Sequence, residues 1–259
     1  MDLTKLMKFD EYNKTRWPRL YPFIFEKDGQ FIYYFGSKHS YDPTDPQFKE
    51  LEKFWNEFLD KTKDKKRIVF EEGGSRPFIE DRTEAILKLG EMGFVVNLAK
   101  IEGVDRFSPE PPEKFRFNEL LKYFSKDEIA YHEFAREVYQ WDTMLEKPDF
   151  DMYINNFLAG DKKGSGWEDY EFTVPHMIEI QKNIFGTEFD KNAKEFFYSI
   201  INPTTKKSII NKIARFEDDE FRDKYILEQI EKYWNDGFNI FAIYGSGHAI
   251  RQELAIKTL

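Results

Sequence analysis

Two short runs rich in aromatic and β-branched residues open the ordered pattern of this chain, at residues 21–25 and 31–35. Between them lies Glu26-Lys27-Asp28-Gly29-Gln30, whose Asp-Gly pair predicts a β-hairpin. From 47 to 59 the apolar residues Phe48, Leu51, Phe54, Trp55 and Phe58 recur at intervals of three and four, the spacing of an amphipathic helix. Residues 67–70 form a buried-strand candidate, 78–92 a second helix and 94–99 a further strand. Alternation of strand and helix predicts a mostly parallel sheet with right-handed crossovers.

The middle of the chain breaks that rhythm. Pro109, Pro111 and Pro112 interrupt it, and a long helix is predicted over 126–146, with Tyr131, Phe134, Ala135, Val138, Met144 and Leu145 on its apolar face. Next come a short amphipathic piece and the stretch Gly160-Asp161-Lys162-Lys163-Gly164-Ser165-Gly166. It lacks the preceding strand and the Gly-Lys-Ser/Thr order of a phosphate loop, so a flexible surface connection is expected. Residues 174–200 and 216–234 read as two helices, and the chain closes with a strand at 238–244 and a terminal helix. The expected fold is α/β: one domain over 1–259, a mostly parallel central sheet with an N-terminal hairpin and flanking helices, and a helical insertion over roughly 104–235. The last strand must rejoin the sheet started by the first half, because a lone apolar strand has no other way to be buried.

Bulk properties narrow the field. The 259 residues carry 27 Phe, 14 Tyr and 5 Trp, which points to an aromatic-rich core. The net charge of −9 argues against a nucleic-acid partner, whose phosphates it repels. No cysteine is present, which excludes disulfides, thiolate metal sites and a Cys nucleophile. No signal-peptide core and no apolar run approaching a membrane span is visible, so a cytoplasmic protein without a membrane partner is the expectation.

The candidate chemistry lies in a motif used twice. Gly36-Ser37-Lys38-His39 follows the strand at 31–35, and Gly245-Ser246-Gly247-His248 follows the strand at 238–244. With 14 glycines and 4 histidines, chance supplies only roughly 0.2 Gly-x-x-His matches. A third strand, 67–70, leads to Glu71, Glu72 and Arg76. In an open parallel sheet such loops share the carboxyl edge, where ligands bind. Two imidazoles, a carboxylate and a guanidinium can therefore converge. Glu71, as the first loop residue after the strand, and Glu72 both qualify as the acid. Two chemistries follow. In one, His39, His248 and Glu71 hold a divalent ion that activates water; without cysteine, N/O ligands favour Mn, Co, Fe or Zn. In the other, a Glu/His pair acts directly as general base. His176, just after Pro175, is read as a helix-start residue, and His132-Glu133 lacks the second His of a metalloprotease helix motif.

These residues resemble a superfamily. A strand ending in Gly-x-x-His, a strand ending in Glu with an Arg five residues on, and a late apolar strand with a second Gly-x-x-His are similar to the TraB/PrgY, Tiki, erythromycin esterase and ChaN-like proteins. The resemblance implies an α/β core with a helical insert. It also implies a divalent-metal peptidase activity, an esterase activity or haem binding, and it puts His39, His248 and Glu71 or Glu72 in the site. Relatives carry an Arg in the mid-chain helix next to an Asp-x-x-Met segment; here Trp141 precedes Asp142, and Arg136 is the candidate substitute one turn earlier. The resulting expectation is a metal-dependent hydrolase of a peptide or ester carbonyl. A small molecule or peptide is its substrate, and Arg76 or Arg136 stabilises developing negative charge. The alternative is a non-catalytic protein binding haem or a peptide in the same cleft.

Overall fold

A computed structural model describes every residue except Leu145, so that part of the predicted helical face lies outside the described residues. The chain divides into two compact units, one formed by Met1–Glu110 with Arg222–Leu259 and the other by Pro111–Phe221. The second lies inside the span expected for the insertion.

The first unit is α/β, with a mostly parallel sheet opened by an antiparallel hairpin and flanked by helices. After a short helix, α1 (Phe9–Tyr12), strands β1 (Tyr21–Lys27) and β2 (Gln30–Ser37) pair antiparallel with Lys27 opposite Gln30. Asp28 and Gly29 both have positive φ, at 54° and 76°, as the tight hairpin turn demands. Then come α2 (Gln47–Lys61), β3 (Arg67–Glu71), α3 (Arg82–Ile101) and β4 (Asp105–Phe107). The strand expected at 94–99 is the second half of α3. Its run of apolar residues is buried on all sides, and such a short run cannot be told from a strand by periodicity. Helix α3 is broken at Gly90 (φ 62°), and the sheet edge is taken by β4 instead.

The second unit is helical. It holds α4 (Glu113–Leu120), α5 (Lys126–Thr143), α6 (Phe150–Ser165), α7 (Val174–Phe185), α8 (Lys194–Ile201) and α9 (Ile209–Glu217). The expected loop at 160–166 is helix up to Ser165. Phe150, Ile154, Leu158, Asp161 and Ser165 form one buried stripe, whose packing outweighs the low helix propensity of two glycines. Gly166 ends it in the left-handed conformation. The single helix expected over 174–200 is split by Gly186, also left-handed. His176 does stand in the first turn of α7.

A π-helical turn, Asp218–Arg222, leads to α10 (Asp223–Asn235), β5 (Asn239–Gly245) and α11 (Ser246–Ile256). The sheet order is β1-β2-β5-β3-β4, so the last strand in sequence is central, parallel to both β2 and β3. Successive residues alternate across it. Tyr34, Phe70, Ala242 and Tyr244 pack towards α10 and α11, while Tyr33, Phe35, Val69 and Ile243 pack towards α2 and α3. No described helix is long and apolar enough to cross a membrane.

Candidate functional site

The parallel register places the two Gly-x-x-His motifs side by side. Gly36 lies opposite Tyr244 and Ser37 opposite Gly245. Neither glycine is needed for positive φ; both are needed for close approach. A Cβ on Gly36 would lie 2.6 Å from the Ala249 Cβ, against α11, and one on Gly245 would lie 2.6 Å from the His39 Nε2. The glycine of the second motif is thus the seat of the histidine of the first. His39 itself carries the left-handed backbone (φ 50°), an uncommon conformation for a side chain of this size.

Each imidazole rests one nitrogen on a buried carboxylate. His39 Nδ1 is 2.6 Å from Glu91 Oε1, and Glu91 also accepts from Ser37 Oγ (2.8 Å) and the Ser40 amide (3.1 Å). His248 Nδ1 is 2.7 Å from Asp223 Oδ1. Asp223 is fully buried and accepts from Gln252 Nε2 (2.7 Å), with Arg251 Nη1 at 2.9 Å from its other oxygen. Both rings then turn Nε2 towards Glu72, at 3.9 Å from His39 and 3.4 Å from His248. Glu72 accepts from the Gly245 amide (2.6 Å) and from Arg222 Nη2 (3.2 Å). Arg222 is itself forked onto Glu110, Nε to Oε2 at 2.8 Å and Nη2 to Oε1 at 2.9 Å, and its Nη1 lies 3.0 Å from His248 Nε2.

Charge follows this wiring. Burial would depress His39, but Glu91 and Glu72 push it up to about 9, an effect partly screened by water because the side chain is 58% exposed. Burial would depress His248 as well; Asp223 and Glu72 push it up to about 10 against the opposing charge of Arg222. Burial would raise the Glu72 carboxyl, yet His248, His39 and Arg222 hold it well below the usual range. The same balance lowers Glu91 through His39, Glu110 through Arg222, and Asp223, through Arg251 and His248, to about 2.

Of the residues singled out in the sequence, His39, His248 and Glu72 come together; Glu71 and Arg76 do not join them. Glu71 is the last residue of β3, not the first of the loop, so its side chain points to the sheet face opposite that of Phe70 and Glu72. There it is buried against Arg106 Nη1 at 3.1 Å, and burial raises its carboxyl despite that arginine. Arg76 folds back onto the carbonyls of Gly73 and Gly74 and braces its own turn. Arg136 belongs to the helical unit, where it lies 3.3 Å from Glu133. Glu91, Glu110, Arg222 and Asp223 were missed. Only Glu91 left a trace, as a lone acid inside the apolar run 90–99.

The donor set expected for a divalent ion, two imidazole nitrogens and a carboxylate, is correct in kind, and carboxylates behind both rings suit a metal centre. The fit fails at His248. An ion bonded to Nε2 lies about 2.0–2.1 Å out along a single in-plane lone pair. Arg222 Nη1, which can only donate, already sits 3.0 Å from that atom and competes for the same lone pair.

The helical unit holds a different cluster. Arg116 Nη1 and Nη2 bind Glu133 at 2.7 and 3.0 Å, and Nη1 lies 3.3 Å from Glu217. His132 Nδ1 is 2.9 Å from Glu133, and ligand atoms of His132, Glu133 and Glu217 lie within 4.8 Å of one another. One guanidinium already neutralises much of this group.

Comparison of the chain with protein-family models, with curated proteins and with solved structures found no match in any of the three.

Proposed function

We propose that this chain hydrolyses an ester or peptide carbonyl without a metal step, with His39 as the general base. The observation that carries the reading is an imidazole whose Nδ1 is fixed by a buried glutamate while much of the ring is open to solvent and its Nε2 faces Glu72 at 3.9 Å. Glu91 positions the ring and selects the tautomer with Nε2 unprotonated, the arrangement a base needs. His39 takes a proton from water as the new carbon–oxygen bond forms, then returns it to the leaving group. Negative charge grows on the carbonyl oxygen during that step. Arg222, held by Glu110, is the fixed cation available to meet it, with His248, held by Asp223, beside it. The paired Gly-x-x-His motifs and their likeness to esterases and peptidases of the TraB/Tiki/erythromycin-esterase group support the same reaction class.

The test is a panel of chromogenic esters and short peptides followed against pH. Turnover is expected to rise with pH as His39 loses its proton, through a midpoint near 9. His39→Ala should lower it by about 10²–10⁴-fold. Glu91→Gln should move the midpoint down, towards the ordinary value of 6.5, because the acid that raises it is gone. Turnover that survives His39→Ala, or a midpoint unmoved by Glu91→Gln, rules out this assignment.

A further inference from the structure

His248 is met at both ring nitrogens by consecutive residues. Asp223, the first residue of α10, takes Nδ1 at 2.7 Å; Arg222, the last residue of the π-helical turn, meets Nε2 at 3.0 Å. Such wide turns recur at functional positions in helices. The Arg222 guanidinium is placed by contacts to both oxygens of Glu110, to Glu72 and to His248. It therefore faces the same imidazole nitrogen and the same carboxylate that a divalent ion would need. Four acids of the cluster, Glu72, Glu91, Glu110 and Asp223, are met by two guanidiniums, Arg222 and Arg251, together with the imidazoles. Without Arg222, Glu72 and Glu110 lose their shared cation, and His248 Nε2 loses the group beside it.

We propose that Arg222 is the resident cation of this site: clamped by Glu110, it fills the place beside His248 and Glu72 that a divalent ion would take, and its removal converts the cluster into a metal site. The exclusion is steric and electrostatic at once. An ion about 2 Å from Nε2 on the side that faces Arg222 would crowd Nη1, which is 3.0 Å from the same nitrogen, and would carry like charge. The inference uses the same side chains as the hydrolytic reading but does not depend on the reaction.

Cobalt(II) alone is the probe, read by metal content after dialysis and by its visible absorption. The wild-type chain is expected to retain no stoichiometric cobalt. Arg222→Gln should retain one ion and bind it at least about tenfold more tightly, the scale of a lost competitor. A second change, His248→Ala or Glu72→Gln, should abolish that gain. Arg222→Lys keeps a positive charge and should stay largely metal-free. Should Arg222→Gln fold poorly, Glu110→Gln frees the guanidinium and is expected to give an intermediate gain. A wild-type chain that binds one cobalt through His39 and His248, or Arg222 and Glu110 variants that bind no more than wild type, overturns the inference. Metal uptake is read without substrate, so loss of the hydrolytic reading leaves this result interpretable, and the reverse holds as well.

Discussion

In the sheet unit, two imidazoles each lean on a buried acid and turn their other nitrogen towards a third acid near solvent. In the helical unit, one guanidinium binds Glu133 and also contacts Glu217, with side-chain exposures of only 3% to 12% for the three. Both are knots of buried charge, and both contain histidine and glutamate. They differ in what is left over. Around Arg116 the short contacts run inward, and the charge is consumed in holding helices α4, α5 and α9 together. Around Glu72 the contacts leave His39 exposed and strained in its backbone, which is costly for structure and useful for chemistry. Proximity of His and carboxylate therefore does not separate a reactive site from a structural one; the direction in which the unspent groups face does.

The sharpest way to break this contrast is to remove each centre. Arg116→Ala takes from buried Glu133 and Glu217 the guanidinium they share and should destabilise the helical unit by about 3–5 kcal/mol. Faster hydrogen exchange in peptides from 111–221 would report it. His39→Ala, at a largely exposed side chain, should cost the sheet unit less than Arg116→Ala costs the helical one while removing turnover. Equal stability losses in the two variants would erase the distinction.

A smaller effect separates the units by pH. Glu72, Glu91, Glu110 and Asp223 are depressed in the fold, so their contribution is present above the ordinary carboxylate values and lost as pH falls, for Asp223 through about 2. His39 and His248 are raised, so theirs is complete below about 6.5 and lost as pH rises through about 9 to 10. Protection of the sheet unit from exchange should be greatest between roughly pH 4.5 and 6.5 and should fall on both sides. A flat profile across pH 5 to 10 contradicts the wiring.

The smallest effect has the opposite sign. Asp161 in α6 is buried with no hydrogen-bond partner for Oδ2 among the described residues, and burial together with the charge of Glu133 raises it to about 9. A carboxyl raised in the fold binds a proton that the unfolded chain releases, so it weakens the helical unit as pH climbs from about 4 towards 9. Asp161→Asn should stabilise that unit at neutral pH by about 1–3 kcal/mol, with a gain that grows with pH. Urea unfolding at pH 5 and pH 8 measures it; a loss of stability at pH 8 would show that Asp161 is ionised and needed.

The residues themselves show why part of this was legible and part was not. The hairpin was readable because Asp28-Gly29 admits few other turns, and α2 because its apolar residues keep a helical period. The meeting of residues 39 and 248 followed from two identical spacings after two apolar strands. Residues 94–99 were misread because a fully buried helix shows no polar face, and residues 160–166 because packing overrode glycine.

Local pattern thus determined the elements that one stretch of chain decides alone: turn chemistry, amphipathic period, and a histidine three residues past a glycine. The partners of those histidines were decided elsewhere. Glu72 replaces Glu71 because one more residue in β3 reverses the face of the sheet, and Glu91, Glu110 and the consecutive pair Arg222 and Asp223 arrive from three other places along the chain. A buried charge is stable only beside its counter-charge, and that pairing exists in space, after folding, with no spacing in sequence to announce it.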